Sequence, residues 1–326
     1  MLRKIIRKYW LLSRFCYPKK LRLEACTLCQ LKCAGCFFQR EKHRALGGGY
    51  LKFDNFKKIV NDNTFLKEIE LSSYGEIFLN PDLVSIMKYA HEKGIALTAY
   101  NGVNFNTVTD EQIHALVDYC FRGITFSIDG ATQQTYAQYR IGGDLGRVMN
   151  NVRKLIEYRD KCGSKYPKLV WQYIIMRHNE LEVGLAKQMA SELGMPISFK
   201  LDWDRNYQPV HVDYLKQETG LSFFTRNDYE KENKKAYKDY VCEELFLQPQ
   251  INWDGRLLGC TNYSKGDYGV NVFEVGLKKA LSSKQYQLAK KCLLTVHPSE
   301  HVYRNTPCYS CHRRVVREKN GKTLDV

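Results

Sequence analysis

Apolar and polar positions along this chain change repeatedly between a period of two and a helical period. Residues 21–25, Leu21-Arg22-Leu23-Glu24-Ala25, alternate and predict a strand, and residues 53–62 carry apolar side chains at helical spacing. Residues 67–72 predict a second strand; a helix over 82–93 follows Pro81 and is closed by Gly94. The order then repeats, with strands over 95–100, 124–128, 168–176 and 197–201. Between them lie helices over 110–121, 145–162 and 180–193. Strands alternating with helices imply a parallel sheet with helical crossovers, and a doubly wound sheet or a barrel would both fit. Glu76, Asn101, Asp129, Asn179 and Asp202 fall just past strands and would gather on one rim, where such folds bind ligands.

The rest of the chain reads differently. In residues 1–20, Leu2, Ile5, Ile6, Tyr9 and Leu12 recur at helical spacing against Arg3, Lys4, Arg7 and Lys8. This basic extension is expected to form a helix over the bottom of the next domain, with weak membrane-surface contact or targeting as the other readings. Residues 206–240 read as a linker with one helix, and residues 249–258 as a hairpin turning at Asp254-Gly255.

Composition narrows the class. The 326 residues, 44% hydrophobic, suffice for one large domain with a smaller one beside it. No apolar run approaches the roughly 18 residues of a membrane span, and Arg14 cuts short the only N-terminal apolar stretch, so a cytoplasmic protein is expected. The net charge of +15 suits an anionic small molecule, nucleic acid or an anionic membrane without choosing among them. No nucleic-acid-binding motif accompanies it, so no specific nucleic-acid partner is expected.

Twelve cysteines, most of them in tight groups, point to metal chemistry. Cys29-x3-Cys33-x2-Cys36 follows the first predicted strand, and three thiolates around a [4Fe–4S] cube leave one iron without a protein ligand. Cys242, Cys260, Cys308 and Cys311 form a second set that could hold zinc or a cluster. Cys16, Cys26, Cys120, Cys162 and Cys292 are isolated and read as small apolar residues or exposed thiols.

The stretch Leu23-Glu24-Ala25-Cys26 through Phe37 resembles the signature of the radical S-adenosylmethionine (SAM) enzymes. Further segments match in order. Ser73-Tyr74-Gly75-Glu76 resembles the GGE motif that receives the SAM amino group, and Tyr100-Asn101-Gly102 resembles the TNG ending the third strand. Ser127-Ile128-Asp129-Gly130 with Arg140 resembles the fourth-strand segment whose serine faces the ribose and whose arginine meets the SAM carboxylate. Residues 173–182, with Asn179, resemble the fifth-strand segment near the adenosyl group. The chain departs from the pattern at the first glycine of GGE, replaced by Ser73 or Tyr74. It departs again at Gly35, where relatives often carry an aromatic, which leaves Phe37 as the adenine-packing candidate.

The resemblance implies an α/β fold: a partial (β/α)6 TIM-type barrel over 21–205, the linker, and a small α+β iron–sulfur domain over 241–326. That last segment is similar to the short, twitch form of the SPASM auxiliary-cluster module. The expected cofactors are therefore SAM and two [4Fe–4S] clusters, one SAM-binding and one auxiliary, with flavodoxin or ferredoxin as external electron donor. The expected reaction is hydrogen abstraction by a 5′-deoxyadenosyl radical from a sugar, aminocyclitol or nucleotide-linked sugar, ending in oxidation or epimerisation. Maturation of a peptide or protein side chain is the alternative, and a zinc protein with a basic nucleic-acid-binding surface is the alternative of another class. Asp202, Asp204 and Glu182 are the candidate bases.

Overall fold

The computed structural model describes residues 17–36, 46–201, 208–233, 242–261, 267–295, 297–311 and 314. The first strand, β1 (Lys20–Leu23), leads to α1 (Phe53–Asp62), β2 (Glu68–Glu70), α2 (Leu83–Glu92), β3 (Ala96–Val103) and α3 (Asp110–Asp118). Then follow β4 (Gly123–Ser127), α4 (Gln133–Tyr139), α5 (Leu145–Lys161), β5 (Lys168–Ile175), α6 (Val183–Glu192) and β6 (Ile197–Leu201). Beyond them lie α7 (Val212–Thr219), α8 (Arg226–Asn233), the short α9 (Glu244–Leu247), β7 (Gln250–Ile251) and α10 (Lys284–Leu294).

One parallel sheet of seven strands runs in the order β6-β5-β4-β3-β2-β1-β7. Its two faces differ in chemistry. Leu21, Leu23, Ile69, Leu71, Leu97, Ile124, Phe126, Trp171 and Tyr173 are buried on one face, in a common core with Phe56, Ile86, Leu116 and Val152 of the helices. The opposite face carries Arg22, Glu70, Thr98, Ser127 and Gln172, kept together by the registers Arg22↔Glu70, Glu70↔Thr98 and Ser127↔Gln172. A parallel sheet covered by helices on both faces is apolar on both. Here only one face is apolar. The sheet is open rather than closed, a partial TIM-type barrel whose lumen is polar.

The predicted strands and helices recur with shifted ends, and three features were not foreseen. A seven-residue helix, α4, occupies the segment leading to Arg140. Residues 208–233 hold two helices rather than one. The hairpin at Asp254-Gly255 keeps an antiparallel bridge, Ile251↔Leu257, but its first strand, β7, also joins the parallel sheet beside β1. The C-terminal segment thus extends the barrel sheet instead of standing apart from it, and Arg22 pairs with Glu244 across the junction. Of the basic extension expected over residues 1–20, residues 1–16 lie outside the described residues and Lys20 already opens β1. Among those described, no helix is long and apolar enough to cross a membrane.

Candidate radical SAM site

The cysteine loop is anchored at both ends. At its start, Asn80 donates to the carbonyls of Ala25 and Leu51 at 2.9 and 3.0 Å, and Cys26 forms an antiparallel bridge with Tyr50. Further along, Lys32 N and Ala34 N donate to the carbonyls of Ile141 and Tyr139 at 2.9 and 3.1 Å, tying the loop to the end of α4. Gly35 lies against Tyr139: a Cβ there would come within 2.9 Å of the phenol oxygen, so the aromatic ring sits where a side chain at 35 would go. Cys26 is fully buried, with its thiol near the Leu28 carbonyl at 3.6 Å. Cys29, Cys33 and Cys36 are only partly enclosed.

The three partly enclosed thiols share one electrostatic environment. Burial pushes Cys29 up to about 12, with Glu76, Cys33 and Cys36 adding repulsion. Burial also pushes Cys33 up, against the pull of Arg140. As bare thiolates the three destabilise one another, and a cationic iron core bound among them would relieve that repulsion. Two of the three already accept hydrogen bonds: Arg140 Nη1 to Cys33 Sγ at 3.5 Å and Asn104 Nδ2 to Cys29 Sγ at 3.7 Å. No set of three or more His, Cys, Asp or Glu among the described residues is gathered as a single metal ion would require. The fit to a cluster therefore rests on the shared loop, the mutual repulsion and these sulfur contacts.

Of the predicted SAM-contact residues, Gly75, Glu76 and Arg140 touch this loop directly. Glu76 is buried and accepts from Asn104 N at 2.6 Å; burial holds its carboxyl up at about 7, opposed by N–H donors from Asn104 and Phe78. Gly75 lies flush against the root of the cysteine loop, where a Cβ would meet Cys26 O at 2.3 Å, so no other residue fits that approach. Asn101 donates to Ser72 O at 2.7 Å. Ser127 ends β4 on the lumen face. Asp129 is wholly enclosed: one oxygen accepts from Ile174 N at 2.7 Å, the other pairs with Arg140. Arg140 thus spans Asp129 and Cys33. Asn179 uses its amide within the loop after β5, accepting from Met176 N and donating to the carbonyls of Asp129 and Ile174.

Other candidates fall elsewhere. Phe37, Asp202 and Asp204 lie outside the described residues. Glu182 accepts from Ala131 N at 2.7 Å and from the hydroxyls of Thr132 and Thr135 at 2.7 and 2.8 Å, fixing the start of α4. Sequence reasoning missed Asn104, whose backbone bonds Glu76 while its side chain reaches Cys29; an asparagine past the third strand carried no motif. It also missed Lys200, which donates to Gln172 on the lumen face. Burial pushes its ammonium below the ordinary value, with Asp129 pulling the other way.

The second cysteine set lies close enough for its members to act on one another electrostatically. Burial pushes Cys308 well up, and Cys260, Cys242 and Cys311 add repulsion. Tyr268 Oη lies 3.7 Å from Cys308 Sγ, and its ring meets Tyr286 edge-on at 4.9 Å. The charges of Cys308, Cys260 and Cys242 all reach Tyr286. Cys120 and Cys162 are exposed, Cys292 is buried in the core, and Cys16 lies outside the described residues.

Residues 23–167 match the model of the Radical SAM superfamily. The chain is 26% identical over 266 residues to the tungsten-containing aldehyde ferredoxin oxidoreductase cofactor-modifying protein of Pyrococcus furiosus, covering 75% of this chain and 71% of that one. Its fold is similar to that of Streptococcus suis SuiB bound to S-adenosylmethionine, with a TM-score of 0.65 at 13% identity over 95% of this chain and 75% of that one. It is also similar to anSMEcpe with bound AdoMet, with a TM-score of 0.57 at 13% identity over 83% of this chain and 79% of that one.

Proposed function

We propose that this chain, whose residues 23–167 form a radical SAM domain, is an enzyme that binds SAM and a [4Fe–4S] cluster through its first cysteine loop to abstract a hydrogen atom from a polar small molecule. When bound together, the cluster and SAM supply reductive cleavage of the sulfonium to a 5′-deoxyadenosyl radical, with the electron coming from a flavodoxin or ferredoxin. Cys29, Cys33 and Cys36 would hold the cluster. Glu76 would receive the SAM ammonium, and Asn101, Ser127 and the Asp129–Arg140 pair would surround the rest of the cofactor. The observation that carries this reading is Asn104, which ties Glu76 to Cys29 and so fixes the ammonium acceptor relative to the cluster ligand.

The domain limits follow the same reading: barrel over 21–205, linker over 206–240, and a module over 241–326 in which Cys242, Cys260, Cys308 and Cys311 hold an auxiliary [4Fe–4S] cluster. Four protein ligands would leave no open iron there, which suits one-electron acceptance and a net oxidation. Epimerisation is the redox-neutral variant. Lys200 beside Gln172 gives the lumen a cation for an anionic or carbonyl-bearing substrate, in keeping with a nucleotide-linked sugar or a related molecule. The P. furiosus relative is named for modifying a cofactor, which also favours a small molecule. Protein reconstituted with iron and sulfide without oxygen, then reduced in the presence of SAM, is expected to release 5′-deoxyadenosine. A protein holding both clusters that releases none would sink the proposal.

A further inference from the structure

Tyr74 directly precedes the Gly75-Glu76 pair, and its contacts give it a role of its own. The loop 73–76 is held from three sides. Glu76 N donates to Leu28 O at 2.8 Å, at the root of the first cysteine loop. Tyr74 N and Gly75 N donate to the carboxylate of Glu24 on β1's extension, at 3.1 and 3.3 Å, and the same carboxylate accepts from Gln250 of β7 at 3.4 Å. Tyr74 Oη then crosses to the C-terminal segment and donates to Thr261 O at 2.8 Å. Thr261 is the neighbour of Cys260, whose N–H bonds Leu258 O at 2.9 Å. Leu258 and Leu46 form a small apolar contact against which both Cys36 and Tyr74 pack.

We infer that Glu24 and Tyr74 are positioning residues that brace the SAM loop 73–76 against the C-terminal cysteine segment, so that assembly of the C-terminal site strengthens SAM binding at the first. The inference rests on the proposed function, since it takes Gly75 and Glu76 to contact SAM. Its physical basis is pre-organisation. Once Cys260 is fixed as a ligand, the carbonyl beside it is fixed too, and Tyr74 finds its acceptor already in place. The loop then loses less conformational freedom when SAM binds. By linkage, SAM should tighten the C-terminal site in return.

The test uses full-length protein reconstituted without oxygen and equilibrium dialysis against labelled SAM. It compares the wild type, Tyr74→Phe, the double variant Cys308→Ser/Cys311→Ser, and all three changes together. Tyr74→Phe keeps the ring and loses one hydrogen bond, so SAM should bind about three- to tenfold more weakly. The two-serine variant should weaken SAM binding comparably, and adding Tyr74→Phe to it should cost little more, because both act through one contact. At saturating SAM, Tyr74→Phe should cleave the cofactor within about twofold of wild type while its KM rises. The SAM-induced change in the first cluster's EPR signal should persist. Wild-type affinity in Tyr74→Phe, or fully additive losses, would overturn the inference while leaving the proposed function intact. A wild type that binds no SAM would overturn both.

Discussion

Arg140 touches a carboxylate and the sulfur of Cys33 at once, and replacing it separates two effects. Its Nε donates to Asp129 Oδ2 at 2.7 Å, Nη2 completes the pair on the same carboxylate, and Nη1 reaches Cys33 Sγ at 3.5 Å. The two side chains are 14% and 0% exposed, so water cannot take over for the guanidinium. Arg140→Met would leave Asp129 buried and unpaired, a loss of about 3–5 kcal/mol. Arg140→Lys keeps a cation but cannot span both partners, and about 1–2 kcal/mol should go. The sulfur contact reads out separately. A donor to a cluster sulfur favours the more negative, reduced state. If the bond strengthens by about 1 kcal/mol on reduction, its loss lowers the midpoint potential by about 40 mV.

Both variants are best made with Cys308→Ser/Cys311→Ser, so that a single cluster titrates. Denaturation gives the stability, and redox titration followed by EPR gives the potential. The expected pattern is a large stability loss for methionine, a small one for lysine, and a lower potential in both. Lowered stability with potentials unchanged to within about 10 mV would refute the sulfur contact in the loaded protein.

Cys29→Ala should lose the iron of the first site and all 5′-deoxyadenosine formation, whereas Cys26→Ala should keep both; iron analysis after reconstitution decides, and the reverse result would make Cys26 a ligand. Burial pushes the Glu24 carboxyl up to about 8, so the folded state holds a proton that the unfolded chain gives up near its ordinary value. Its contribution is complete below the ordinary carboxylate range and is lost as pH rises through about 8. Glu24→Gln should therefore lose less stability than wild type between about pH 6 and about pH 9, as followed by urea denaturation; equal slopes would contradict the raised value. Lys290 is buried, with its ammonium 5.3 Å from the rings of both Phe246 and Tyr286, and burial pushes it down to about 8. Lys290→Met should gain about 1 kcal/mol near neutral pH, seen as a raised Tm; a lowered Tm would mean the ring contacts outweigh the buried charge.

What the sequence made legible follows its periodicities. Strands such as Ile197–Leu201 and helices such as Leu145–Lys161 repeat their pattern often enough to be read locally. The cysteine spacings are likewise local, because one loop carries all three first-site thiols. β7 was illegible for the opposite reason: it is two residues long and pairs with a strand more than two hundred positions earlier. α4 is short, and its start is fixed by Thr132 and by Glu182 from another element. Glu182 read as a candidate base because nothing near it in sequence shows that it is already engaged.

The alternating strands held more information than a count of elements. Along β1 and β2 the polar residues at every second position look like solvent-facing ones, yet Glu24, just past β1, and Glu70 are almost wholly buried. Glu70 accepts from Tyr100 N at 2.9 Å and from the Thr98 hydroxyl at 2.7 Å, holding the end of β3; Glu24 does the same for residues 74 and 75. A carboxyl group is costly to bury, and it is tolerated where several backbone N–H groups need one acceptor. Those N–H groups belong to the loops that match the SAM motifs. The polar half of the strand pattern therefore marks the support of the binding site, one layer beneath the residues that the motifs name.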